Sequence, residues 1–271
     1  MPNFADDIKH HIIMKKKTIV RLIRNATLTL HYAGKKILVD PMLAEKGTLQ
    51  SALGVYNTPR VHLTMPIKEI VEDLDLVLLT HNHIDHYDPT VKHVLPKDIP
   101  FFTQPQDKDT IMQDGFTNVE AIDKSRTLDN LTIHRTTGVH GYGQTGRAMG
   151  PVSGYVLTSA SCPAIYIMGD CRWDAHTQQE AETYRPDYIV VNCGGAIFPQ
   201  LSQHDGPAIP DELEVMTMLD TLPEQTRLIA VHMAATDHSQ TSRSILRNEA
   251  LHHKADMKRL LIPEDGETLE L

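Results

Sequence analysis

The chain has 271 residues, 41% hydrophobic and 23% charged, which suits one large globular domain or two small ones with a full core. Its net charge of -9 argues against a protein that grips nucleic acid with a basic face, a local basic patch aside, and gives no electrostatic reason to bind an anionic membrane. The three cysteines, Cys162, Cys171 and Cys193, are too few and too widely spaced for a disulfide framework and read as free thiols of a cytoplasmic protein.

Residues 1–17 read as a polar N-terminal extension, with Met14 an alternative start to Met1, and 18–271 as a single domain. Lys15-Lys16-Lys17 imitates the start of a signal peptide, but Arg21 and Arg24 interrupt the apolar stretch that follows. No run approaches the ~20 apolar residues needed to span a bilayer. Apolar, β-branched runs predict strands over 18–23, 26–31 and 37–39, with Tyr32-Ala33-Gly34-Lys35 a hairpin turn between the last two. Residues 43–72 lack a period and suggest a lid or insertion near the site. Further strands are predicted over 76–80, 100–103, 131–136, 153–158, 164–168, 188–192, 227–231 and 259–262. Helices are predicted over 106–114, stopped by Gly115, over 177–184, ahead of Pro186, over 211–222, between Pro210 and Pro223, and over 239–253. Strands dominate early and alternate with helices later, with no linker between, which indicates one layered α/β domain.

The strand over 76–80 runs into His81-Asn82-His83-Ile84-Asp85-His86, three imidazoles and a carboxylate within six residues. Imidazole nitrogen and carboxylate oxygen are the usual ligands of zinc and similar divalent ions. Four ligands from one segment exceed the need of one metal, so His81 and His83 suit one ion and Asp85 and His86 a second. Other ligand-type residues follow apolar strands in the same way: His140 after 131–136, Asp170 after 164–168 and His232 after 227–231. Each alone has a plain structural reading, Asp170 as a helix cap for instance; the set carries the argument. Gly141-Tyr142-Gly143-Gln144-Thr145-Gly146 matches the dinucleotide fingerprint, which needs a helix opening there. Gly150, Pro151 and Gly154 follow and argue for a loop passing close to metal and substrate instead. There is no G-x-S-x-G and no H-E-x-x-H.

The order H-x-H-x-D-H, His, Asp, His resembles the metallo-β-lactamase fold superfamily of hydrolases. Ile37-Leu38-Val39-Asp40-Pro41, Gly169-Asp170 and Ile262-Pro263-Glu264-Asp265-Gly266-Glu267 extend the resemblance through nearly the whole chain. Within the superfamily the chain looks nearest to the branch that contains ascorbate-6-phosphate lactonase. The resemblance implies a four-layer αββα sandwich with the site at one edge of the paired sheets. It implies one metal on His81, His83 and His140, a second on Asp85, His86 and His232, and Asp170 bridging both. True β-lactamases carry a different side chain where Asp170 stands; Cys171 is one residue out of register and reads as packing.

The expected activity is hydrolysis of an ester, lactone or phosphodiester of a small neutral or anionic molecule by a hydroxide shared between two divalent ions, zinc or manganese foremost and iron, cobalt or nickel otherwise. Asp85 and Asp170 are the expected catalytic carboxylates. Arg147, Tyr142, Arg172, Trp173, His204 and His238 are weaker candidates for substrate contact. The alternatives are a diiron-type oxidoreductase, whose H-x-E-x-D-H pattern this chain lacks at His83, a nuclease, which the acidic surface disfavours, and a non-catalytic metal-binding protein. A homo-oligomer, most commonly a dimer, fits the default for soluble proteins.

Overall fold

Strands β1 (Ile19–Arg24), β2 (Thr27–Tyr32) and β3 (Lys35–Val39) form an antiparallel meander in the computed structural model, which describes residues 17–271. The N-terminal extension, apart from Lys17, lies outside the described residues. Tyr32 pairs with Lys35, and both residues between them take positive φ, Ala33 at 54° and Gly34 at 86°. That is the two-residue turn whose twist matches a hairpin. The chain then crosses to parallel strands β4 (Leu76–Leu78), β5 (Phe101–Thr103) and β6 (Val119–Ala121), and the C-terminal β14 (Thr268–Glu270) pairs with β1. The first sheet therefore runs β14-β1-β2-β3-β4-β5-β6.

The second sheet mirrors this plan. Strands β7 (Ser125–Leu128), β8 (Leu131–Thr137), β9 (Ser153–Ser159) and β10 (Cys162–Ile167) are antiparallel neighbours. Strands β11 (Tyr188–Asn192), β12 (Arg227–Val231) and β13 (Leu260–Leu261) extend β10 in parallel. The helices are α1 (Ile67–Val71), α2 (Val91–Val94), α3 (Lys108–Gln113), α4 (Gly143–Met149), α5 (Ala175–Tyr184), α6 (Ser202–Asp205), α7 (Glu212–Thr221) and α8 (Arg243–His253).

Strand side chains alternate between faces, and both faces are apolar here. Ile37 and Val39 join Leu22, Leu78, Tyr155, Ile229 and Val231 between the sheets. Leu38, between them in sequence, turns outward to meet Val77, Phe101, Ile70 of α1, Val91 of α2 and Ile111 of α3. Leu228 and Ala230 turn outward likewise, against Ala181 of α5, Val215 of α7 and Leu246 of α8. Three apolar layers thus separate helix, sheet, sheet and helix, the expected αββα order.

The long predicted strands all form, with ends shifted by a few residues. The short edge strands β6, β7 and β14 are not signalled by the sequence, because their side chains are mostly exposed or half-buried and form no apolar run. The helix predicted over 239–253 starts at Arg243. Ser239 is instead bridged to Ala196 and Thr241 N–H bonds Gly194 O, while the Ser242 hydroxyl caps Ile245 N–H. Asp174, not Asp170, caps α5, in a reciprocal box with Thr177. A correction falls on the glycine-rich stretch, where a helix does open: α4 starts at Gly143, its first N–H groups capped by the Asp205 carboxylate, and stops at Gly150 with φ 78°. The strand ahead of it, β8, has antiparallel neighbours on both sides, so no βαβ unit surrounds the motif.

Residues 43–66 leave the sheets as an irregular excursion. Arg24, fully buried, holds both of its ends. Its guanidinium donates to Met42 O at 2.6 Å and Ala44 O at 2.9 Å, and to Val61 O at 3.2 Å. Burial lowers its pKa to about 10, so it remains protonated at neutral pH. Farther along, Arg60 N–H bonds Ala235 O, and the Asp237 carboxylate accepts from Ser51 Oγ and from Val55 and Tyr56 N–H. The excursion therefore rests on the loop that follows β12, while the end of the aperiodic 43–72 stretch is helix α1. No helix among the described residues is long and apolar enough to cross a membrane.

Candidate metal centre

At the C-terminal ends of β4, β10 and β12, and just past β8, apolar strands give way to polar side chains, and these ends meet. His81, His83, Asp85 and His86 follow β4, His140 follows β8, Asp170 follows β10 and His232 follows β12. Ligand atoms of His81, His83 and His140 lie within 4.8 Å of one another, as do those of Asp85, His86 and His232, and those of His81, His86 and Asp170. Asp170 Oδ2 stands between the first two groups, 3.2 Å from His86 Nε2, 3.3 Å from His140 Nε2 and 3.8 Å from His81 Nε2. Asp85 Oδ2 is 3.2 Å from His232 Nε2.

Bonds on the far side of each ring decide which nitrogen faces inward. Asp40, at the end of β3, accepts from Thr80 N–H, Thr80 Oγ1–H and His86 Nδ1–H, each at 2.8 Å. With its proton given to Asp40, Thr80 Oγ1 accepts from His81 Nδ1 at 3.1 Å. His140 Nδ1 donates to Ala208 O at 3.1 Å. In the neutral form of all three imidazoles the proton sits on Nδ1, so Nε2 faces the cluster. Nitrogen and oxygen atoms crowd there: His86 Nε2 lies 3.1 Å from His232 Nε2 and 3.2 Å from Asp170 Oδ2, and His232 Nδ1 has no hydrogen-bond partner. Buried donors this close need protons or a cation between them, and imidazole with carboxylate is a donor set that fits divalent metal.

Charge differs between the rings. Burial and then the neighbouring imidazoles His86 and His83 hold His81 well below its ordinary value, and burial, with His140 close by, brings His83 down to about 4. Burial opposes charge on His86 as well, but the carboxylates of Asp170, Asp40 and Asp85 outweigh it and hold the ring above its ordinary value. Asp85 and Asp170 stay ionised despite burial because His86 and His232 face them.

The backbone is tightly fitted here. Asp40 and His232 take φ of 44° and 66° without being glycine, and Asn25, in the β1–β2 turn, takes 56°. Asn25 O accepts from His232 N–H, and its Nδ2 donates to Asp85 O at 3.1 Å. Asn192, ending β11, donates from Nδ2 to Asp170 Oδ1 at 2.7 Å. Gly169 has φ 61°, and a Cβ there would fall 2.7 Å from Ser153 O. The Gly-Asp pair therefore needs its glycine to deliver Asp170.

The weaker substrate candidates separate. His238 is at the centre, its Nε2 3.9 Å from Asp85 Oδ2. Trp173 is not: it packs in the outer core under α5 and α7, with Nε1 donating to Thr221 Oγ1. It lines a surface cavity of about 690 Å³ that shares no lining residue with the His/Asp cluster. Arg172 is bound to Glu214 and to Pro207 O, and its guanidinium covers the half-exposed Tyr142 ring at 4.8 Å. Arg147 on α4 and His204 on α6 are exposed, and neither bonds to the cluster. Cys171 is fully buried in the outer core, where burial raises its thiol pKa and leaves it inert. Asp40, Asn25, Thr80 and Asn192 are positioning residues that the ligand pattern does not reveal.

Asp107 supports the ligand loop from behind. Its carboxylate accepts from Gln104 Nε2 at 2.9 Å and from Asn82 N–H, and burial pushes it up to about 6. The folded value lies above the ordinary ~3.9, so the folded chain holds this proton more tightly than the unfolded chain does. The resulting stability is fully present below about pH 4 and is lost as pH rises through 6. Asp107→Asn is expected to flatten the stability profile between these values. Urea midpoints across that pH series check it, and an unchanged slope contradicts it.

Comparison with known proteins shows the family. Residues 35–233 match the family described as Beta-lactamase superfamily domain. The UPF0173 protein YddR of Bacillus subtilis is 36% identical over 91% of this chain and 97% of its own length. A UPF0173 metal-dependent hydrolase of Sulfurisphaera tokodaii is 24% identical over 65% of this chain and 71% of its own. Among solved structures, an isothiocyanate hydrolase from Delia radicum gut bacteria is 35% identical with a TM-score of 0.85, covering 93% of this chain and 98% of that one. A possible metal-dependent hydrolase from Veillonella parvula is 28% identical with a TM-score of 0.89, covering 94% and 100%.

Proposed function

Because this chain belongs to the Beta-lactamase superfamily and, within it, to the UPF0173 metal-dependent hydrolases, we propose that it hydrolyses an ester, lactone or phosphodiester bond of a small molecule with two divalent ions. The observation that carries this reading is the set of inward Nε2 atoms of His81, His86 and His140 around the Asp170 carboxylate. His81, His83 and His140 would hold one ion, Asp85, His86 and His232 the other, and Asp170 both; the nitrogen and oxygen donors suit zinc or manganese. Bound there, the pair would supply an activated water and polarise the attacked group. Asp170 would balance the cationic charge. Asp85, with one oxygen near both His232 and His238, would take a proton from the attacking water and return it to the leaving group. A second reading rests on the 35% identity to the isothiocyanate hydrolase: the electrophile is an isothiocyanate carbon, and water is added to it to release an amine and carbonyl sulfide.

Elemental analysis of the purified protein, followed by turnover assays on the four bond types in the metal found, tests the proposal. About two zinc or manganese ions per chain with hydrolysis support it. Two irons with oxygen-dependent turnover and no hydrolysis replace it with an oxidoreductase, and bound metal without turnover replaces it with a metal-binding protein. Chelation adds a check that does not depend on substrate. Metal at about 1,000 times its Kd contributes roughly 4 kcal/mol to stability. Its removal should therefore lower Tm by roughly 10 °C, and an unchanged Tm counts against resident metal.

A further inference from the structure

A second cavity, of about 450 Å³, is joined to the edge of the metal centre through Phe198. Ala52, Leu53 and Val55 of the excursion form one wall, and Phe198, Pro199 and Leu201, between β11 and α6, form the other. Gln200 is its one polar lining side chain, and no lining residue is charged. Both walls are fastened to the two residues at the edge of the cluster. Asp237 accepts from Val55 and Tyr56 N–H at 3.3 Å, and Ile197 N–H donates to His238 O at 3.0 Å. Phe198 joins cavity to centre: it lines the cavity and stacks on the His238 imidazole, centroids 5.0 Å apart, and His238 in turn faces Asp85.

From this continuity we infer that the cavity holds the uncharged alkyl or aryl group of the substrate while the scissile bond lies at the metal centre. The inference rests on the hydrolytic reading and narrows it. A volume of about 450 Å³ exceeds the ~150 Å³ that an apolar protein cavity needs to hold benzene. A wall without charge gains nothing from an anion and loses when a charged group is buried against it. The substrate is therefore one whose substituent is uncharged and apolar, an alkyl or aryl ester, lactone or isothiocyanate foremost. Arg147, the sequence candidate for an anion contact, is exposed on α4 and contributes nothing to this cavity.

The test has a binding arm and a turnover arm. In the metal-loaded protein with labelled Leu and Val methyl groups, 2-phenylethanol is expected to shift the resonances of Leu53, Val55 and Leu201 in the NMR spectrum, while glycerol shifts none of them. Val55 is 62% exposed, so Val55→Asp does not disturb the core, and it should abolish the shifts at Leu53 and Leu201. Shifts confined to other methyls, or no shifts at saturating alcohol, overturn the inference. In the turnover arm, wild-type kcat/KM should favour 4-nitrophenyl hexanoate over the acetate, and 2-phenylethyl over methyl isothiocyanate, by at least about tenfold. In Val55→Asp that ratio should fall towards one. Turnover with no preference for the longer member overturns the inference and leaves the hydrolase standing. No turnover of any member overturns the hydrolytic reading, and the binding arm then decides the cavity by itself.

Discussion

Asp170→Ala is expected to strip the protein of metal and activity together. Asp170 Oδ2 approaches His86, His140 and His81, which belong to both proposed metal groups, so one truncation affects both ions. The variant loses the charge that offsets two cations and leaves Asn192 Nδ2, which donates to Oδ1 at 2.7 Å, without its acceptor. Losing several kcal/mol of transition-state stabilisation at 1.36 kcal/mol per decade lowers kcat/KM by about 10³-fold or more. Metal content should fall well below that of the wild type in parallel. Metal analysis and steady-state kinetics on the same preparation check this; full metal with wild-type kcat/KM would sink the two-ion scheme.

Asp40→Asn should have the next largest effect, although Asp40 is assigned no metal. It accepts three hydrogen bonds, and an amide accepts through one oxygen only. The amide nitrogen would face Thr80 N–H in one flip, and both Thr80 Oγ1–H and His86 Nδ1–H in the other, donor against donor either way. In the second flip His86 moves its proton to Nε2, where it points at Asp170 and His232 and blocks a nitrogen meant for metal. Loss of such an orienting partner typically costs 10–100-fold in metal affinity. Chelator competition should show that weakening, alongside a lower Tm. A lower Tm with unchanged metal affinity would make Asp40 purely structural.

The sequence reveals the framework because the ligand-bearing strands are apolar runs that stop at a residue of ligand type. β4, β10 and β12 all follow that rule, and His81, Asp170 and His232 are legible from it. Applied without regard to residue type, the same rule also finds Asp40 at the end of β3 and Asn192 at the end of β11. It cannot find Asn25, which lies in an ordinary-looking turn and reaches His232 across 207 residues of chain. Trp173 misleads through its nearness to Asp170 in sequence: the chain turns outward after the ligand, and Asp174 already caps α5. Helix α4 is hidden because its glycines give a helix former's signal nowhere; the cap comes from Asp205, about 60 positions away. The excursion over 43–66 has no period to read, since it is held by side-chain anchors and not by a ladder.

Arg24 makes that excursion a separable cassette. One buried guanidinium fixes the chain at Met42 and Ala44 on entry and at Val61 on exit, so whatever runs between begins and ends at set coordinates. Doubling the length of such a closed loop costs only ~0.6 kcal/mol in entropy. Residues 45–60 can therefore be exchanged, lengthened or randomised while both clamps and every His/Asp ligand remain in place. Descendants of one hydrolytic scaffold can diverge in what they admit by rewriting this single stretch, and a designer can graft a new wall there without redesigning the chemistry.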